Sequence, residues 1–142
     1  MDKLFLTNKK ILTEIKDWLN REFDRKIEKP SVTLIILAVN ECIQNIYRYT
    51  YEKKEQKKIL ISYTRSPDSL FIHVRDFGPI CVDQSFITAI HQPSEKGGMG
   101  MGIIRNIVTD FIIDNACDGN LTKLTFSLAK LKKIDQQLII YE

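Results

Sequence analysis

The period of the apolar residues changes along this chain, and that pattern limits the folds open to it. Residues 8–22 carry Ile11, Leu12, Ile15, Trp18 and Leu19 at three- and four-residue spacing, with Lys, Glu and Asp between them. That spacing predicts an amphipathic helix. A second helix is predicted over 30–50, opened by Pro30-Ser31 and carrying Val32, Ile35, Ile36, Val39, Cys42, Ile43 and Ile46. Asn40, Glu41, Gln44, Asn45 and Arg48 group on its other side. The period then drops to that of strands. Ile59 to Thr64 and Leu70 to Asp76 are rich in β-branched and aromatic residues, and Ser66-Pro67-Asp68-Ser69 between them signals a hairpin. A third helical pattern, Ile103, Ile104, Ile107 and Val108, follows a glycine run. Phe111 to Asp114 and Leu121 to Leu131 read as a second strand pair, turned by Cys117-Asp118-Gly119-Asn120. Leu4 to Leu6 reads as an edge strand, and Leu138 to Tyr141 as a further strand or a packed tail.

Helices and strands therefore come in blocks rather than alternating singly, which disfavours a parallel doubly wound sheet. The order predicts an α+β fold: a two-layer sandwich of a mixed, mostly antiparallel sheet with helices on one face. The 142 residues make one domain, 1–142, with room for one sizeable core. Residues 77–98 contain Gly78, Pro79, Pro93, Gly97 and Gly98, and a connection of that length reads as a lid or binding loop, with a short helix near Gln84 to Ile90.

Charge and cysteine usage exclude several classes. Against 18 Asp and Glu stand 21 Lys and Arg, a net +3 too balanced for a nucleic-acid groove. The longest apolar run, Leu34 to Val39, is too short to span a bilayer, and the N-terminus has no signal-type apolar segment. Cys42, Cys81 and Cys117 are odd in number and far apart, which supports neither a zinc site nor a disulfide framework. A cytoplasmic protein is expected. His73 and His91 have no partner at ligand or dyad spacing and are assigned no role.

Three features can carry chemistry. Glu41 and Asn45 lie four apart on the second helix, hence on one face; Asn offers a neutral oxygen suited to Mg²⁺ and Glu a general base. The alternative is an ordinary solvated face. Leu70, Ile72 and Val74 share a strand face with Asp76, so a carboxylate is aimed inward just before Gly78. Such a group can accept from an exocyclic amine, and the glycine lets a flat ring approach; a simple turn-capped strand end is the other reading. Gly97 to Gly102 precedes a helix, as a phosphate cradle or a hinge would, but matches neither the Walker nor the dinucleotide pattern.

In order, these features resemble the GHKL superfamily, the ATP-binding domain shared by histidine kinases, gyrase B and MutL. Glu41-Cys-Ile-Gln-Asn45 resembles its N box, Asp76-Phe-Gly78 its first glycine box, and Gly98-Met-Gly100-Met-Gly102 its second. Ala38 to Ile46 and Gly97 to Arg105 are especially similar to the bacterial anti-sigma-factor serine/threonine kinases. The resemblance implies ATP and Mg²⁺ as cofactors. It makes Asn45 the Mg²⁺ ligand, Glu41 the catalytic base and Asp76 the adenine-amine acceptor, with Gly78 under the ring. It places Gly98, Gly100, Gly102 and Arg105 at the phosphates and Thr125 as a further adenine contact. It implies phosphorylation of a STAS-type anti-sigma-factor antagonist, sequestration of a sigma factor, and a homodimer using apolar residues of the first helix and strand. Tyr49 stands where members often carry His, and Ile80 where the first glycine box has its second Gly. These departures keep open a module that binds ATP and partners without phosphoryl transfer. A detached ATPase domain of a two-component system is a third reading.

Overall fold

The computed structural model describes residues 1–79 and 99–140. In chain order they form strand β1 (Asp2–Leu6), helix α1 (Ile11–Phe23), helix α2 (Lys29–Asn45), a π-helical turn (Ile46–Thr50), and strands β2 (Lys58–Arg65) and β3 (Ser69–Asp76). Helix α3 (Met99–Ile107), strands β4 (Asp110–Ala116) and β5 (Gly119–Ser127), and helix α4 (Leu128–Ile140) complete them. The five strands lie in the order β1-β2-β3-β5-β4. Every ladder among the described residues is antiparallel, so the mixed pairing allowed for above does not occur there.

Strand alternation decides the two faces. Leu70, Ile72, Val74 and Asp76 of β3 are buried, as are Asn120, Thr122, Leu124 and Phe126 of β5. The apolar ones join one core with α1, α2 and α3, in which Ile15, Leu19, Ile35, Ala38, Val39, Ile43 and Ile104 are fully buried. Helix α2 packs on α1, α3 and α4 and so forms the centre of the helical layer. Pro30 sits in its first turn, where a missing N–H is harmless. At the far end the chain does not stop at Asn45 but winds on as a π-turn to Thr50. Helix α1 is held to the sheet by aromatic contacts. Trp18 meets Phe5 edge-on at 5.6 Å, Phe23 meets Tyr63 at 4.9 Å, and the Tyr63 hydroxyl donates to Glu22 at 2.9 Å.

Three expectations are corrected. The strand predicted to Leu131 ends at Ser127, and the segment beyond is helix, not strand or tail. The β3 ladder runs out at the Ser69–Ser127 pair, and the Ser127 Oγ then accepts from the Lys130 N–H at 3.2 Å as an N-cap. Leu128, Leu131 and Ile134 turn onto the core. Secondly, Gly119 and Asn120 belong to β5 rather than to the turn before it. Thirdly, Ile11, Ile15, Trp18, Leu19 and Phe23 of α1 are buried, so this helix offers no apolar face to a second copy, whereas Leu4 and Leu6 on β1 are exposed. No helix among the described residues is long and apolar enough to cross a membrane. The predicted helix near 84–90, Gly98, Ile80, Cys81, His91 and most of the predicted lid lie outside the described residues.

Candidate nucleotide site

Asp76 is a buried carboxylate with fixed hydrogen-bond partners. It ends β3 on the helix side of the sheet and is only 1% exposed. Its Oδ1 accepts from the Asn120 side-chain amide at 3.0 Å and from the Gly78 N–H at 3.1 Å. Burial pushes its pKa up from the ordinary value, and these donors, with the nearby Arg75, oppose that rise. Two hydrogen bonds on one oxygen orient the carboxylate, so that it can act as an acceptor of fixed direction.

The turn after Asp76 is packed as closely as its carboxylate is bonded. A Cβ at Gly78 would stand 2.4 Å from the Thr50 methyl, and one at Gly119 would stand 2.0 Å from the Asp76 carbonyl oxygen. Glycine is required at both positions by close approach. Gly102 differs: among the described residues no atom would meet a Cβ placed there, so packing against them does not account for that glycine. The Asn120 amide also donates to the Pro79 carbonyl at 2.8 Å, tying β5 to the start of the following segment. The Tyr51 hydroxyl accepts from the Phe77 N–H at 2.7 Å and donates to the Lys58 carbonyl. Thr50, Tyr51, Phe77, Gly78 and Pro79 line a pocket together with Glu52, Lys54 and Lys57.

Glu41 and Asn45 are half-buried on the last turns of α2, one turn apart. A π-turn begins immediately after Asn45, and such distortions of a helix cluster at functional sites. Helix α3, which carries Gly100 and Gly102, packs on α2, the helix of Glu41 and Asn45. Arg105 is exposed in the last turn of α3. Mg²⁺ keeps several waters and takes one or two protein oxygens beside phosphates; an amide oxygen with a carboxylate one turn away is a donor set of that kind.

Thr125 does not join this cluster. It pairs with Phe71, and its side chain shares the sheet face of Phe71 and Lys123, opposite to that of Asp76. The polar β5 residues on the face of Asp76 are Asn120, directly opposite it, and Thr122. Asn120 was not anticipated from sequence, because only the register of β3 with β5 brings it there. Tyr51 has no local signal either, because it meets Phe77 across 26 residues of chain.

Residues 6–127 match the family described as the histidine kinase-like ATPase domain. The chain is 29% identical over 111 residues to the anti-sigma F factors of Bacillus velezensis and Bacillus subtilis, covering 72% of this chain and 74% of each of those proteins. Among solved structures it resembles the catalytic domain of the histidine kinase ThkA, with a TM-score of 0.58 at 19% identity, over 90% of this chain and 99% of that one. The ordered motifs, the antiparallel sheet under one helical layer and the match over most of the chain agree: this protein belongs to the histidine kinase-like ATPase domain family.

Proposed function

We propose that the protein is an ATP- and Mg²⁺-dependent serine/threonine kinase of the anti-sigma type. It phosphorylates a small STAS-type antagonist and sequesters a sigma factor. The observation that carries this reading is the buried, doubly hydrogen-bonded Asp76 beside Gly78, in a fold whose adjacent helices bear Glu41 and Asn45 on one and Gly100 and Gly102 on the other. The likeness to proteins named anti-sigma F factor supports the choice of substrate and partner.

In this reading Asp76 accepts a hydrogen bond from the adenine amine, and Gly78 keeps the ring edge clear of side chains. Asn45 supplies the amide oxygen for Mg²⁺, which when bound neutralises phosphate charge. Backbone amides near Gly98, Gly100 and Gly102, with Arg105, hold the phosphates. Glu41 accepts the proton of the attacking hydroxyl, and positioning does most of the rest. A second copy docks along the β1 edge, where Leu4 and Leu6 are exposed.

Labelled ATP incubated with the protein and a cognate antagonist is expected to yield a phosphoserine or phosphothreonine product. Glu41→Ala should slow that transfer by roughly 10²–10⁴-fold while leaving ATP bound. Asp76→Asn should weaken ATP binding by about 10- to 100-fold in calorimetric titration, the value of one hydrogen bond to a charged group. Tyr49, 53% exposed where family members often carry His, favours a second reading in which ATP only stabilises a partner-binding form. Tight ATP binding with no phosphoprotein formed on any cognate antagonist selects that second reading; absence of ATP binding overturns both.

A further inference from the structure

We propose that Tyr51 is a positioning residue of the nucleotide site, acting as a hydroxyl spacer that holds the strand pair β2–β3 open at its Asp76 end. The proposal rests on the ATP-binding reading above. The register of this pair places Ile59 opposite Asp76, so the next pair in sequence would be Lys58 with Phe77. In place of that step the Tyr51 hydroxyl stands between the two strands. It takes the Phe77 N–H at 2.7 Å on one side and gives its proton to the Lys58 carbonyl on the other. A direct ladder bond would carry β3 straight on past Asp76. With the phenol inserted, the chain leaves the sheet at Phe77, and Gly78 comes against Thr50.

Several further observations agree with a built device. Tyr51 is 5% exposed, so its hydroxyl is committed to these partners rather than to bulk water. Burial raises its pKa, which keeps the donating proton in place. The loop that follows it is held in an unfavourable backbone. Glu52, Lys53 and Gln56 adopt φ of 51°, 64° and 61°, a region that non-glycine residues rarely occupy. Thr7, itself fully buried, pins that loop. It bonds the Lys57 carbonyl, the Gln56 N–H, the Lys54 carbonyl and the Lys57 N–H at 2.8 to 2.9 Å. Such strain persists where surrounding contacts over-determine it, and here it sets the position of Tyr51. Because Thr50 and Tyr51 continue directly from the helix of Glu41 and Asn45, the same spacer couples the base-reading end of the site to its metal end.

The test compares ATP with ITP, which has a carbonyl where adenine has its amine, on the full chain and its Tyr51→Phe variant by calorimetric titration. Wild-type protein is expected to prefer ATP. The variant should bind ATP about 5- to 10-fold more weakly, the loss of a neutral hydrogen bond, with ITP binding changed less, so that the preference shrinks. A purely structural role would weaken both nucleotides alike, and that outcome overturns the proposal. Unchanged affinity and preference in Tyr51→Phe also overturn it, while leaving the ATP reading intact. Wild-type protein that binds neither nucleotide overturns the ATP reading itself. Should the variant fail to fold, hydrogen exchange on wild-type protein decides. A protected Phe77 amide supports the spacer, and an amide exchanging as freely as an exposed loop overturns it.

Discussion

Gly119 tolerates no side chain. Its Cβ would fall 2.0 Å from the Asp76 carbonyl oxygen, a backbone atom of a central strand that cannot move aside. Gly119→Ala is therefore expected to destabilise the fold by about 2–4 kcal/mol in urea unfolding, as severe overpacking does. Gly78→Ala meets instead the methyl of Thr50, at 2.4 Å. Thr50→Ser removes that methyl, so the double variant should recover most of the loss in a double-mutant cycle. Asp76 carries a pH dependence of definite sign. Burial raises its pKa above the ordinary value of 3.8, so the folded state holds this proton more tightly than the unfolded chain. Its contribution to stability is then fully present below that ordinary value and is lost as pH rises through the folded value. Asp76→Asn has no such loss. Its unfolding free energy relative to wild type should rise from about pH 4 to pH 7 in the absence of nucleotide, even as ATP binding falls. Cys42 has its pKa pushed up to about 12, first by burial and then by the Glu41 charge. It should resist alkylation in native protein at about pH 8 while the exposed Cys117 reacts, as read by mass spectrometry.

At the scale of elements, legibility followed locality. Helices α1 and α2 and the β2–β3 hairpin were readable because each buries a stripe or face that repeats within its own segment. Helix α4 was not, since Leu121 to Leu131 carries enough apolar residues to pass for one long strand. The available signal was Ser127 as a cap before Leu128, Leu131 and Ile134 at three-residue spacing. Ser127→Ala is expected to cost about 1 kcal/mol and Leu131→Ala, at a fully buried position, about 2–5 kcal/mol in chemical denaturation. Lys130 adds a bond from its Nζ to the Val108 carbonyl at 2.9 Å, so α4 also secures the C-terminal end of α3.

For the molecule as a whole, the proposed ligand links stability to function. Mg²⁺-ATP at about 100 times its dissociation constant should stabilise the fold by roughly 2.7 kcal/mol, a rise of several degrees in Tm by scanning calorimetry. Asp76→Asn protein should show little of that rise at the same concentration. The sequence by itself determined the element types before α4, their order in blocks, the inward aim of Asp76 and the common face of Glu41 and Asn45, because these depend on periods of two or 3.6 residues within one segment. Only the tertiary structure decided which groups meet Asp76. Asn120 stands opposite it, and Thr125 faces away, because of the β3–β5 register, which no single strand encodes. Tyr51 enters between Lys58 and Phe77 because a strained loop pinned by Thr7 brings it there. Periodicity is a local property of the chain; pairing register and packing between distant segments are settled by the free energy of the whole fold.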